Sequence, residues 1–385
     1  MSFHKSSNYA TIFTGTLNMV KHTKSSRILQ DIREQIQNQR LGPGDRIPTE
    51  RELSEVYSVS RPTVTKALQQ LQYEGLVERR AGSGTFVSRL DDIPEKRITR
   101  HLGLLIPRLG VTEIFEPICA RIAQLSRGNF FSLLWSDSTA HDIKTAPEEL
   151  ENSCLHYIEQ GVDGLFFVPL ELVPSWKDTN KRITEIISEA KIPTVLLDSD
   201  YLSFPHRSAY DLVGIDNIRA GFFASEHYLD QGVNRVDYLY RPYSASTIEH
   251  RLQGCRIALS QRGISMSPEW IHEGEPEQLD FVRKVIDQGA RNIVCANDAT
   301  AFALMESLQA LGIPVPEEVR LIGFDNVRFS HIAHVPLTTF RQPVAAIGEL
   351  AVRTMLNRLE HRDHPKSSVF IEPEFIVRQS SIVHP

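Results

Sequence analysis

The chain has 385 residues, 41% hydrophobic and 23% charged, with a formal net charge of −6. That length accommodates two or three domains with a substantial core, and the composition is that of an ordinary globular protein. No run approaches the roughly 18 consecutive apolar residues of a membrane span, so no membrane partner is expected. Four widely spaced cysteines with no Cys-x-x-Cys pair argue against a disulfide framework or a metal site and for reduced, buried thiols in a cytoplasmic protein.

Residues 1–19 are polar and mixed, without the apolar stretch of a signal peptide, and are expected to be a disordered extension; Met19 is a candidate start. The charge is unevenly spread. Residues 20–90 carry 12 Lys+Arg against 8 Asp+Glu, a net +4, whereas the chain from Asp91 onward carries −11. A basic head on an acidic body is the charge pattern of a nucleic-acid reader joined to a domain with another partner.

Ser25 to Arg40 has Ile28, Leu29, Ile32 and Ile36 at helical spacing, and the Leu41–Asp45 stretch stops that helix. Thr49 and Glu52 form a capping-box pattern ahead of Leu53, Val56 and Tyr57. After a short break, Ser60 caps a second helix with Pro62 in its first turn and Val64, Ala67, Leu68 and Leu71 on its buried face. Arg61, Thr63, Thr65 and Lys66 stay at or near the other face, where a helix-turn-helix presents its second helix to the major groove. Leu76–Arg80 and Thr85–Val87 read as two short strands around Ala81–Gly84, a glycine-rich hairpin that lets backbone approach phosphates.

Ser88 to Arg100 is charged and unpatterned and reads as a linker. Beyond it, strands are expected at 101–107, 130–135, 164–168, 194–198, 236–240, 292–296 and 319–325. Helices are expected at 114–127, 147–160, 181–190, 218–231, 246–262, 281–288 and 299–311. The alternation implies parallel α/β sheets. About 280 residues exceed one such layer, so two lobes are expected. Polar residues close three strands: Asp198, Asn297-Asp298 and Asp325, at the carboxyl ends where open α/β sheets bind ligands. Each has a plainer reading as a helix cap or turn residue.

The head resembles the winged helix-turn-helix domain of the GntR family of transcription regulators, on Gly42–Leu53, Val59–Val64 and Gly82–Val87 in order. That resemblance implies DNA contacts at Arg51, Arg61, Thr63 and Gly82. The family usually has a second arginine where this chain has Thr65; either Lys66 substitutes for it or the base preference differs there.

The body resembles the effector domain of the LacI/GalR family. The shared blocks include Leu104–Pro107, Gly161–Leu165, Ile192–Asp198, Gly214–Asn217, Arg251–Gly254, Leu321–Asp325 and Pro336–Pro343. The resemblance implies a two-lobed, type I periplasmic-binding-protein-like fold over residues 101–385, after a winged-helix head (20–88) and the linker (89–100). It implies that Arg251, Asn297 and Asp325 hold sugar hydroxyls, with Asp198, Thr247 and Gln342 as supporting contacts and Phe115 on the sugar's apolar face. Pentose binders place an arginine where this chain has Ser199, which leaves the identity of the sugar open.

Together the two resemblances imply a homodimeric repressor on a palindromic operator, released by a monosaccharide effector, with no cofactor. A sugar receptor without a regulatory role is the alternative, opposed by the DNA-binding head. An enzyme is a poorer reading, because His227, His250, His331 and His334 sit in no catalytic or metal-binding pattern.

Overall fold

The computed structural model describes residues 24–37, 40–73, 76–80, 84–87, 100–107, 114–129, 131–135 and 145–382. The expectations placed on residues 1–19, Gly82 and 89–99 lie outside these. The chain divides into two compact units, Met1–Ile98 and Thr99–Pro385.

In the first unit, α1 (Lys24–Gln37), α2 (Glu50–Val56) and α3 (Arg61–Tyr73) precede the antiparallel strands β1 (Val77–Arg80) and β2 (Gly84–Val87). Ile28, Ile32, Leu53, Val64, Leu68, Leu71, Val77 and Val87 share one core, as their spacing predicts. The Thr49–Glu52 capping box is formed: Thr49 N–H donates to Glu52 Oε2 at 2.7 Å, and Glu52 N–H donates to Thr49 Oγ1 at 3.3 Å.

The second unit opens with β3 (Arg100–Leu105), α4 (Phe115–Asn129), β4 (Phe131–Trp135), α5 (Ala146–Glu159), β5 (Gly164–Phe167), α6 (Trp176–Glu189), β6 (Thr194–Leu197) and β7 (Asp211–Ile215). Then follow α7 (Asn217–Leu229), β8 (Asp237–Tyr240), α8 (Ser246–Gln261), β9 (Ile271–Glu273), α9 (Leu279–Asp287), β10 (Asn292–Cys295), α10 (Asp298–Ala310), β11 (Arg320–Ile322) and β12 (Thr339–Arg341). The chain ends with α11 (Val344–Glu360), β13 (Ser368–Ile371) and β14 (Glu374–Ile376).

A parallel six-stranded sheet, in the order β13-β7-β6-β5-β3-β4, forms lobe 1, and a parallel four-stranded sheet, β11-β10-β8-β9, forms lobe 2. The antiparallel pair β12-β14 joins lobe 2 through bridges Ile322↔Thr338 and Asp325↔Arg341. The chain passes between lobes three times: after β7, after β12 and after β13. α11 returns to lobe 1 and packs Ile347, Ala351 and Met355 with Ile118 and Ile122 of α4.

Two sequence expectations need correction. Arg100, read as the last linker residue, begins β3. Helix α6 starts at Trp176 rather than Lys181, because Asn180 is buried yet satisfied: Leu170 N–H donates to its Oδ1 at 2.8 Å and its Nδ2 donates to Leu170 O at 2.9 Å. A polar residue on the buried face breaks the apolar periodicity on which that boundary rested. All four cysteines are buried and unbridged, and burial pushes the Cys119, Cys154 and Cys255 thiols up to about 12.

Candidate functional site

The exposed face of α3 begins with Arg61 and Pro62 and continues to Lys66. Thr63 Oγ1 lies 2.8 Å from Ser60 Oγ, which ties the first turn to the residue before it. Thr65 is less free than its position implies: its hydroxyl is within hydrogen-bond reach of Glu50 Oε2 at 3.1 Å and of Arg61 O at 3.0 Å. Glu50 also pairs with Arg79 of β1, so one carboxylate fastens α2 to both α3 and the hairpin. Arg51 pairs with Glu55 at 3.0 Å, but its side chain is 76% exposed. A pair that open contributes little to stability and leaves the guanidinium able to exchange partners for a phosphate.

In the second unit, the interval between the lobes gathers most of the residues expected to hold an effector. Arg251 projects from α8 and is 3% exposed. Its Nε donates to Asn217 Oδ1 at 2.8 Å, its Nη1 donates to Ala296 O at 2.5 Å, and its guanidinium carbon stands 4.5 Å from the centre of the Phe324 ring. Such stacking and bonding hold a buried guanidinium in one orientation. Asp198 from lobe 1 and Asp325 from lobe 2 are half-buried, their carboxyl groups turned inward, and both feel the charge of Arg251. Burial pushes the Asp325 carboxyl up to about 8 despite Arg251, and raises Asp198 as well. Gln342 Nε2 donates to Asp325 Oδ1 at 2.8 Å. Asp198 Oδ1 and Gln342 Oε1 are buried without a hydrogen-bond partner.

Both aspartates sit where the backbone leaves the β region, with φ of 67° at Asp198 and 114° at Asp325. Residues held in that region cluster at ligand sites. Thr247, one turn before Arg251 on α8, is 3% exposed.

Two of the expected contact residues also have partners within the fold. Asn297 caps α10, its Oδ1 accepting from Thr300 N–H at 2.9 Å and from Thr300 Oγ1 at 2.7 Å. Its carbonyl oxygen is therefore engaged, and its amide nitrogen is the group left to offer a ligand. Phe115 is 6% exposed and belongs to the apolar cluster of lobe 1 with Ile106, Ile114 and Ile118. Burial in that cluster favours a core role over a sugar-facing one.

No local pattern singles out Asn217, which orients Arg251, or Phe324, which stacks on it. Nor does any local pattern mark Asp298 as a hub. Burial raises Asp298 to about 6, and it accepts from Ser330, Thr339 and the Val327 N–H. Asn217 and Phe324 lie within blocks the sequence displays; their roles depend on partners more than 30 residues away. A cavity of about 430 Å³ is lined by residues such as Trp176, Tyr240, Tyr243 and Glu273 and by none of the expected effector residues.

Residues 24–87 match the model for bacterial regulatory proteins of the gntR family, and residues 225–381 match the periplasmic binding protein-like domain. The arabinose metabolism transcriptional repressor of Geobacillus stearothermophilus is 27% identical over 93% of this chain and 97% of its own. The HTH-type transcriptional repressor PurR of Mannheimia succiniciproducens is 29% identical over 73% of this chain and 81% of its own. In fold, the second unit is similar to the transcription regulator CcpA of Lactococcus lactis, with a TM-score of 0.63, 19% identity, and coverage of 74% of this chain and all of that one.

Proposed function

From a gntR-type winged helix-turn-helix joined to a periplasmic-binding-protein-like receptor, we propose that this chain is a transcriptional repressor that a monosaccharide releases from its operator. The observation that carries the sugar half is the pair of buried acceptors without partners, Asp198 Oδ1 and Gln342 Oε1, set around Arg251 and Asp325. Sugar hydroxyls supply donors to both acceptors and accept from the guanidinium, and each ligand side chain reaches vicinal hydroxyls with two atoms. Arg341, which closes β12, pairs with Glu374 at 2.8 Å, so a neutral sugar suits the cleft better than a phosphorylated one.

The likeness to the Geobacillus repressor makes L-arabinose the first ligand to test. Two copies of the chain place two heads on a palindrome, in the geometry that winged-helix dimers impose. The sugar alters DNA affinity only by binding one receptor conformation better than another.

The test is a mobility-shift measurement with the full chain and palindromes upstream of its neighbouring genes, titrated with pentoses and hexoses. Expected are binding without sugar, release by L-arabinose or a close relative, and a retained but unresponsive complex for Asp325→Ala. A complex indifferent to every sugar, or an Asp325→Ala variant that still responds, overturns the proposal. A receptor with no regulatory role would bind sugar yet ignore every palindrome.

A further inference from the structure

The helix that carries Arg251 and Thr247 starts without a cap of its own. Its N-cap is Ala245, which has no side-chain acceptor, and Ile248 occupies the N3 position, where a glutamate would reach back to the N-cap N–H. The missing acceptor comes from the opposite lobe. Glu171, in the loop after β5, takes the Ala245 N–H on its Oε2 at 2.9 Å. Its negative charge also suits the positive end of the helix dipole.

Two further bonds cross at the same point. Ser246 Oγ donates to Asp200 O at 2.8 Å, and Leu172 N–H donates to Tyr243 O at 2.7 Å. Leu172 and Tyr243 both have φ of 61°, a conformation non-glycine side chains rarely adopt. Tyr243 is 47% exposed, so burial of its ring does not impose that conformation. The backbone contact between lobes is the feature both residues share, and strained positions of this kind persist where surrounding contacts demand them.

We propose that Glu171 is a positioning residue for effector binding: a cap supplied in trans, which completes α8 only while the two lobes are apposed. Thr247 and Arg251 lie within the first two turns of that helix, where the loss of a cap is felt most. Separation of the lobes removes three hydrogen bonds at once and loosens the turn that holds the effector's partners. Closure and effector affinity are thereby coupled through a group remote in sequence from every residue expected to touch the sugar. The coupling to affinity rests on the function proposed above; the cap itself does not.

The experiment compares the full-length wild type with Glu171→Ala and Glu171→Gln. The glutamine keeps an acceptor oxygen within reach of Ala245, and the alanine does not. Without ligand, hydrogen exchange of peptides spanning 243–250 is expected to quicken severalfold in Glu171→Ala and to stay near wild type in Glu171→Gln, with unchanged exchange in α10 as the internal control. With L-arabinose, or whichever sugar the wild type binds, calorimetric affinity is expected to fall about tenfold in Glu171→Ala and to recover in Glu171→Gln. Ser246→Ala, which removes a second bond between the lobes, is expected to shift affinity the same way. Wild-type exchange in Glu171→Ala overturns the cap, whatever the sugar does. Faster exchange with undiminished affinity overturns the coupling. If no sugar binds wild type, the effector reading fails and the coupling with it, while exchange still decides the cap.

Discussion

A Cβ placed on Gly221 would stand 1.9 Å from the carbonyl oxygen of Arg251. The reciprocal contact is as close, since a Cβ on Gly254 would stand 2.0 Å from the carbonyl oxygen of Ile218. Helices α7 and α8 therefore meet backbone to backbone, and this contact sets where Arg251 enters the cleft. Gly221→Ala cannot be absorbed by a rotamer change, because the obstructing atoms are main chain. The expected cost is about 1–3 kcal/mol of stability, the usual range for overpacking. Effector affinity is expected to drop with it as α8 shifts. Denaturant unfolding and sugar titration of the same variant check both; wild-type values in each would show that the helices separate at no cost.

Asp325 makes the stability of the unliganded protein depend on pH. Burial holds its carboxyl near 8 in the fold, against about 4 in the unfolded chain. Between those values the folded state retains a proton that the unfolded state has released. Its contribution is thus full below about pH 4 and is lost as pH rises through 8, by at most about 1.4 kcal/mol per pH unit. Asp298, raised to about 6 by burial, acts in the same direction. Asp325→Asn is expected to flatten the decline between pH 6 and pH 8, as read from melting curves across that range. A hydroxyl that donates to Asp325 favours its ionised form, so sugar binding is expected to release a proton near pH 7. Calorimetry in buffers of differing ionisation enthalpy measures that release.

Arg61 and Arg51 should fail differently. Arg61 is exposed at the first turn of α3, in the position of a base-reading side chain. Arg61→Ala is expected to cost about 1–3 kcal/mol of operator binding and to relax preference at one position of each half-site. Arg51, whose partner Glu55 is itself 66% exposed, would meet a phosphate under the proposed function. Arg51→Ala should weaken binding to all sequences alike and lower the salt dependence by roughly one counterion per head. Competition with variant operators at two or more salt concentrations separates the two behaviours.

Arg358 supports lobe 1 from within. It bonds Asp211 through Nε at 2.7 Å and Nη2 at 3.0 Å, and donates to the carbonyls of Arg362, His364 and Pro365. Burial alone would raise the Asp211 carboxyl, but Arg358 and Ser367 more than reverse this and hold it below the ordinary range. That stabilisation is present above the unfolded-state value and is lost as pH falls through the folded one. Arg358→Ala leaves a buried carboxylate without its counter-charge and should cost roughly 3–5 kcal/mol. The variant's acid-unfolding limb should also lose part of its steepness, which a urea series between pH 3 and pH 6 would register.

The winged-helix head was largely legible in the residues. Its capping box, its Ser60–Pro62 start and the apolar faces of α1 and α3 are local patterns, and local patterns survive without knowledge of the fold. Seven of the parallel strands, β3, β4, β5, β6, β8, β10 and β11, are legible for the same reason, as short apolar runs at regular intervals. β7, β9, β12, β13, β14 and α11 are not singled out by local pattern. Of these, β12, β13 and β14 gain their identity from partners across the chain, β13 from β7 and β12 and β14 from each other.

Among the site residues, chemistry was legible and engagement was not. That carboxylates and an amide close the strands at 198, 297 and 325 is written in the chain. Whether each serves a ligand or the fold depended on what lay opposite. Asn297 found the amide three residues ahead and became a cap, whereas Asp198 found no donor for one of its oxygens. Thr65 found Glu50, 15 positions back, and Arg251 found Asn217, 34 positions back. A hydrogen bond forms where two groups meet within about 3 Å, and for residues far apart along the chain that meeting is set by how helices and lobes pack. The residues along the chain settle which groups can be offered, and the packing of helices and lobes settles which of them are already engaged.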